Sequence, residues 1–162
     1  MRGRLRWHRR QSRFPQGFHT ITLQLQFDNA AEAIEWYTRG LGAREISRST
    51  GPDGKILHAE LQIGDTRFMA NDAMGGSKGP KGYGGSPASM WLYVENSDAL
   101  FERAVKAGAT VQVPFADQFW GDRGGAVGDP AGYSWWIVTR KEDLSQAEIR
   151  ARFDEFMKHA AG

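Results

Sequence analysis

The chain repeats itself. Leu23-Gln24-Leu25-Gln26-Phe27-Asp28-Asn29 runs into Ala30–Tyr37 and then Gly42-Ala43. Met90-Trp91-Leu92-Tyr93-Val94-Glu95-Asn96 runs into Ser97–Ala104 and then Gly108-Ala109. Asn29 and Asn96 lie 67 positions apart, and Gly42 and Gly108 lie 66 apart. Each copy reads as a strand, a turn, an amphipathic helix, a glycine and further strands. Two such units bury their apolar faces together and leave a shared surface, where function is to be sought.

Strand one alternates Ile21, Leu23, Leu25 and Phe27 with Thr20, Thr22, Gln24 and Gln26, a period of two. Asn29 is placed to cap the next helix, with Glu32 as its partner three residues on. Ala43 to Asn71 reads as a three-stranded meander. In its middle strand Leu57, Ala59, Leu61 and Ile63 face one way, and Ile56, His58, Glu60 and Gln62 the other. The glycine-rich stretch Met74–Pro87 is a hinge between copies or a lid. Copy two then gives strands at Ser89–Val94, Val111–Phe115, around Phe119–Arg123, at Gly125–Val127 and at Tyr133–Thr139. Ser145 and Glu148 form a capping box for a tail helix striped by Ile149, Phe153, Phe156, Met157 and Ala160.

The 162 residues suit one domain. Module one is expected at 18–72, a linker at 73–88, module two at 89–143 and the tail helix at 144–162. The net charge of +2 hides an asymmetry. Residues 1–17 hold six arginines and no acid; the rest has 15 basic against 19 acidic side chains, a net of −4. The arm is read as a disordered leader, and nothing pairs it with a nucleic-acid-binding fold. No run approaches the ~20 apolar residues of a membrane span. The absence of cysteine excludes disulfide and thiolate chemistry, and the chain reads as cytoplasmic by default.

Alternation points Gln24, Gln26, His58, Glu60, Trp91, Tyr93 and Trp136 into the shared surface. His58 and Glu60, two apart on one strand, have the chemistry of a general base with its orienting carboxylate, of a pair of metal ligands, or of a plain hydrogen-bonded pair. Trp91, Tyr93, Trp120 and Trp136 offer a stacking floor for a flat or cationic ligand, or core packing. In Phe119-Trp120-Gly121-Asp122-Arg123, Arg123 is a candidate for gripping a ligand carboxylate or phosphate, or a surface partner of Asp122.

Ala33-Ile34-Glu35-Trp36-Tyr37 with Leu41-Gly42-Ala43, and Gly128-Asp129-Pro130-Ala131-Gly132-Tyr133, resemble the glyoxalase/bleomycin-resistance/extradiol-dioxygenase (vicinal oxygen chelate) superfamily. His58-Ala59-Glu60-Leu61 with Ala116–Arg123 resembles its phosphonate-operon-associated, glyoxalase-like branch. The resemblance implies an α+β fold: two βαβββ modules forming a curved mixed sheet around a cavity, here with a C-terminal helix added, and a homodimer. Metal-dependent members place four ligands on these strands. The matching positions here hold Thr22, Glu60, Ser89 and Trp136, and only Glu60 suits a divalent metal. No catalytic metal and no cofactor are therefore expected. The expectation is a binder of a small aromatic or cationic ligand, and the alternative is a metal-independent lyase or isomerase using His58 or Glu60.

Overall fold

The computed structural model describes residues 15–160; most of the arginine-rich arm lies outside them. Module one runs β1 (Gln24–Phe27), α1 (Ala30–Leu41), β2 (Arg44–Thr50), β3 (Ile56–Ile63) and β4 (Thr66–Asp72). Module two runs β5 (Ser89–Tyr93), α2 (Ser97–Lys106), β6 (Thr110–Asp117), β7 (Asp122–Gly128) and β8 (Ser134–Arg140). A tail helix, α3 (Gln146–Ala160), follows. Each module forms a four-stranded mixed sheet, ordered β1-β4-β3-β2 and β5-β8-β7-β6. In each, the first strand pairs parallel to the last and the other pairs are antiparallel.

The same local devices start and stop the two inner helices. Asn29 Oδ1 accepts the Glu32 N–H at 3.2 Å, and Asn96 Oδ1 accepts the Ala99 N–H at 3.0 Å. Each satisfies a backbone donor that the first turn leaves orphaned. Gly42 ends α1 in the left-handed region, at φ 70°, where a Cβ would be strained.

The sheets meet through their apolar faces. Leu25, Phe27, Leu61, Phe68, Trp135 and Ile137 form one buried cluster with Ile34, Tyr37 and Leu41 of α1. The rings of Phe68 on β4 and Trp135 on β8 lie 6.4 Å apart. Both strands sit second from the edge. If the sheets lay side by side along β1 and β5, these strands would be separated by three strand spacings, about 14 Å. The modules are therefore packed back to back, with α1 and α2 together. Trp36 Nε1 donates to Ala107 O at 2.9 Å, and Arg103 donates to the Arg39 and Thr38 carbonyls at the end of α1. Tyr133 clasps the free edge of β1: its hydroxyl donates to Gln26 O at 2.9 Å and accepts the Gln26 N–H at 3.1 Å.

Three local expectations change. Strand one begins at Gln24, where the parallel register with β4 starts; Ile21 is 91% exposed. A register shift in the β2–β3 ladder between Ser49 and Thr50 breaks the alternation of β3 at its start, so Ile56 is buried and Leu57 is 47% exposed. Phe119–Gly121 is a turn rather than a strand, closed by Gly121 N donating to Gln118 O, and β7 runs unbroken from Asp122.

Candidate functional site

Because the modules are back to back, the faces opposite the helices point outward on opposite sides of the chain. The sequence residues divide between them.

The module-one face carries Gln24, Gln26, His58 and Glu60. Gln24 Nε2 donates to Asn71 Oδ1 at 2.8 Å, and the Asn71 amide donates to Asp72 O, so the glutamine is held by a fixed chain. His58 Nε2 lies 3.8 Å from Glu60 Oε1, and Arg67 Nη1 lies 3.5 Å from Glu60 Oε2. Glu60 thus has cationic or titratable neighbours on both oxygens. Gln24 and Gln26 also line a groove of about 840 Å³ with Tyr133 and the glycine-rich segment, including Lys78 and Tyr83. His58 and Glu60 do not line that groove.

The module-two face is aromatic. β5 and β8 run parallel with Trp91 opposite Trp136, so period-two alternation puts both indoles on one face. They stack at 4.8 Å with planes 13° apart. Trp120, on the turn before β7, stands 6.0 Å from Trp91 and 5.7 Å from Trp136. Tyr93 continues the stack 6.4 Å from Trp91. Trp91 and Tyr93 keep 42% and 61% of their surface exposed, unusual for large rings on a monomer. The turn is braced from behind, where Phe119 packs on Trp120 at 4.9 Å and on Phe153 and Phe156 of α3 at 5.3 and 5.6 Å.

Asp122, considered from sequence only as a partner of Arg123, belongs to this aromatic face. It is 6% exposed, and its Oδ2 accepts the Trp120 indole N–H at 2.9 Å. Partial burial, then the nearby Asp122 carboxylate, hold the Tyr93 phenol above its ordinary pKa. Arg123 points the other way. Its guanidinium bonds Asp98 of α2 and Asp117 of β6 and lies over the Phe115 ring. These hydrogen bonds, with Asp98 first, hold it above its ordinary pKa. The structure places Arg123 in a charge cluster beside α2, away from the tryptophans. Adjacent strand residues face opposite ways, so Asp122 and Arg123 cannot serve the same face.

The donor set does not fit a metal of the kind the superfamily can carry. Among the described residues, no three His, Asp or Glu side chains converge to hold an ion. Thr22, Glu60, Ser89 and Trp136 supply one carboxylate between them, and no imidazole. Nor is any helix of the described residues long and apolar enough to cross a membrane.

The residues that sequence reasoning missed were Arg67 and Asn71 of β4, and Asp122. Their signal was register. Gln62 pairs with Arg67 and Gln26 with Asn71, which sets each beside a residue already singled out.

Comparison with known proteins agrees with the fold. An uncharacterized protein of Mycobacterium bovis is 42% identical over 136 residues, covering 81% of this chain and 90% of its own. The crystal structure of TioX from Micromonospora sp. ML1 superposes with a TM-score of 0.60 at 26% identity, over 78% of this chain and 100% of that one. Protein PA1353 from Pseudomonas aeruginosa gives 0.61 at 29% identity, over 75% and 98%. The family model described as Glyoxalase/Bleomycin resistance protein/Dioxygenase superfamily matches residues 18–137. With its doubled βαβββ module, the chain belongs to that superfamily.

Proposed function

We propose that this protein binds a small aromatic or cationic ligand on the tryptophan face of module two, without a catalytic metal. One observation carries the reading: Trp91, Trp120 and Trp136 stand in mutual contact on an outward face, with Trp91 open. Folding gains most from a large ring when it is buried, so a cluster left open on this scale favours a role in recognition. Trp91 and Trp136 already stack on each other, so the ligand lies on the open side of the stack rather than between them.

We also propose a homodimer. In one chain the polar and aromatic faces point apart, and β1 and β5 are edge strands. A second copy could set its module-one face, with Gln24, Gln26, His58 and Glu60, opposite the tryptophans. That arrangement would complete a cavity from two half-sites.

A second reading has its own observation. The His58–Glu60–Arg67 contact is a titratable imidazole on a carboxylate steadied by a guanidinium, which suits proton transfer in a metal-independent lyase or isomerase. The binding reading is favoured because His58 and Glu60 line no groove with the rings in one chain. A thermal-shift panel of flat aromatic and cationic compounds tests it. Hits raise the melting temperature according to RT ln(1 + [L]/Kd), and Trp91→Ala reduces the rise. A panel without hits, or hits indifferent to Trp91→Ala, counts against it.

A further inference from the structure

The tryptophan face carries one buried charge, and that charge names a ligand class. Asp122 sits at the base of the cluster, 6% exposed, with Oδ2 on the Trp120 indole N–H at 2.9 Å. No cationic side chain among the described residues lies within 4.0 Å of its carboxylate, so no ion pair offsets it. Arg140 is its cross-strand partner on β8, but the Arg140 guanidinium turns to Asp143 instead. Arg123, next in sequence, faces α2 and is held by Asp98 and Asp117.

Two effects of Asp122 add on the open side of the rings. The carboxylate places negative potential behind the cluster in a poorly solvated position, where screening is weak. By accepting the indole N–H it also makes the Trp120 ring more electron-rich, which deepens the ring-face attraction for a cation. Aromatic side chains grouped with a carboxylate recognise quaternary ammonium and other weakly hydrated organic cations, because these exchange little hydration for ring contact. A ligand anion meets the opposite balance.

Resting on the reading that the tryptophan face is the ligand site, we propose that its preferred ligand is an organic cation. The ammonium or guanidinium centre lies on the open side of the cluster formed by Trp91, Trp120 and Trp136, and Asp122 sets the charge preference. Asp122 acts through Trp120 and through its field, and is a specificity-determining residue rather than a direct contact.

The test compares phenyltrimethylammonium with its neutral isostere tert-butylbenzene, followed on the tryptophan indole N–H resonances by NMR titration. The wild-type protein should bind the cation at least tenfold more tightly. Asp122→Asn keeps an oxygen for the Trp120 N–H; it should erase most of that preference while leaving affinity for the isostere within about twofold. Equal affinity of the two probes for the wild type overturns the proposal even if the variant does not fold. So does a preference that survives Asp122→Asn. If the isostere binds and Trp91→Ala weakens it, but the cation gains nothing, the tryptophan face stands and only the charge preference falls. If neither probe moves the Trp91, Trp120 and Trp136 resonances, both readings fall.

Discussion

At Tyr37 a single phenol is shared by both modules. It rises from α1, is 1% exposed, and donates to Asp129 Oδ2 at 2.6 Å. The same oxygen takes the Trp135 indole N–H at 3.0 Å, while Asp129 Oδ1 accepts Gly132 N and Tyr133 N. One carboxylate thus ties α1, the turn before β8 and β8 itself. Tyr37→Phe should destabilise the fold by about 1–3 kcal/mol at neutral pH, measured by urea unfolding, because a buried acceptor loses one of its donors. Burial, then the Asp129 charge, raise the Tyr37 pKa well above its ordinary value. The neutral phenol is therefore favoured in the folded state. Its contribution is complete below the unfolded value of about 10 and is lost as pH rises beyond it, by up to about 1.4 kcal/mol per pH unit. The alkaline loss of stability should be shallower in Tyr37→Phe; identical slopes would contradict the assignment. His58 and Glu60 are the residues of the catalytic alternative. If it holds, any isomerase or lyase turnover has a pH profile that disappears in His58→Gln or Glu60→Gln, whereas on the binding account neither change moves ligand affinity more than about twofold in the monomer.

Among the elements, α3 is the one least held by its own chain. Its residues are exposed apart from Ile149, and its ring contacts run through Phe119 alone. Arg152 grips Glu142 in a two-pronged pair, but exposed pairs add little. A helix of 15 residues is marginal in water without packing. Replacing Phe153 and Phe156 together by alanine should remove hydrogen-exchange protection across α3 while leaving β5–β8 protected. Retained protection in α3 would show that the Phe119 contact is not what holds it. The elements also show what the sequence made legible. Asn29, Asn96, Gly42 and Gly108 announce helix ends because capping is local chemistry. Trp91 and Trp136 could be set on one face because strand alternation has a fixed period. The strand assigned around Phe119 failed because a short aromatic run has the same composition in a strand and in a braced turn. The sequence placed Arg123 with the ligand residues by its chemistry, although Asp122 is the one that faces the tryptophans. Neighbouring residues on a strand exchange faces with a slip of one position, and only the β7–β8 register fixes the phase.

For the molecule as a whole, the repeat defined two modules but not how they meet. Alternation tells which residues share a face; it does not tell what that face touches. The close approach of Phe68 to Trp135 supplies the missing orientation and turns both candidate faces outward. The proposed homodimer follows at this scale. Sedimentation equilibrium should give about twice the chain mass of 18.1 kDa. Trp91→Glu, which places a charge on the open aromatic face, should shift the equilibrium toward monomer. A wild-type protein that stays monomeric at high micromolar concentration would leave each face as a separate half-site.

The central claim is that ligand binding resides on the tryptophans rather than at His58 and Glu60. Titration calorimetry tests it most directly, using the strongest hit of the thermal-shift panel on metal-free protein. Trp91→Ala and Trp136→Ala should each cost about 1–3 kcal/mol, roughly 5- to 150-fold in Kd, as loss of one stacking ring does elsewhere. His58→Gln, at a position that in the proposed dimer lies across the cavity from the rings, should cost clearly less than either tryptophan variant. Unaltered affinity in both tryptophan variants, with loss in His58→Gln, would contradict the account.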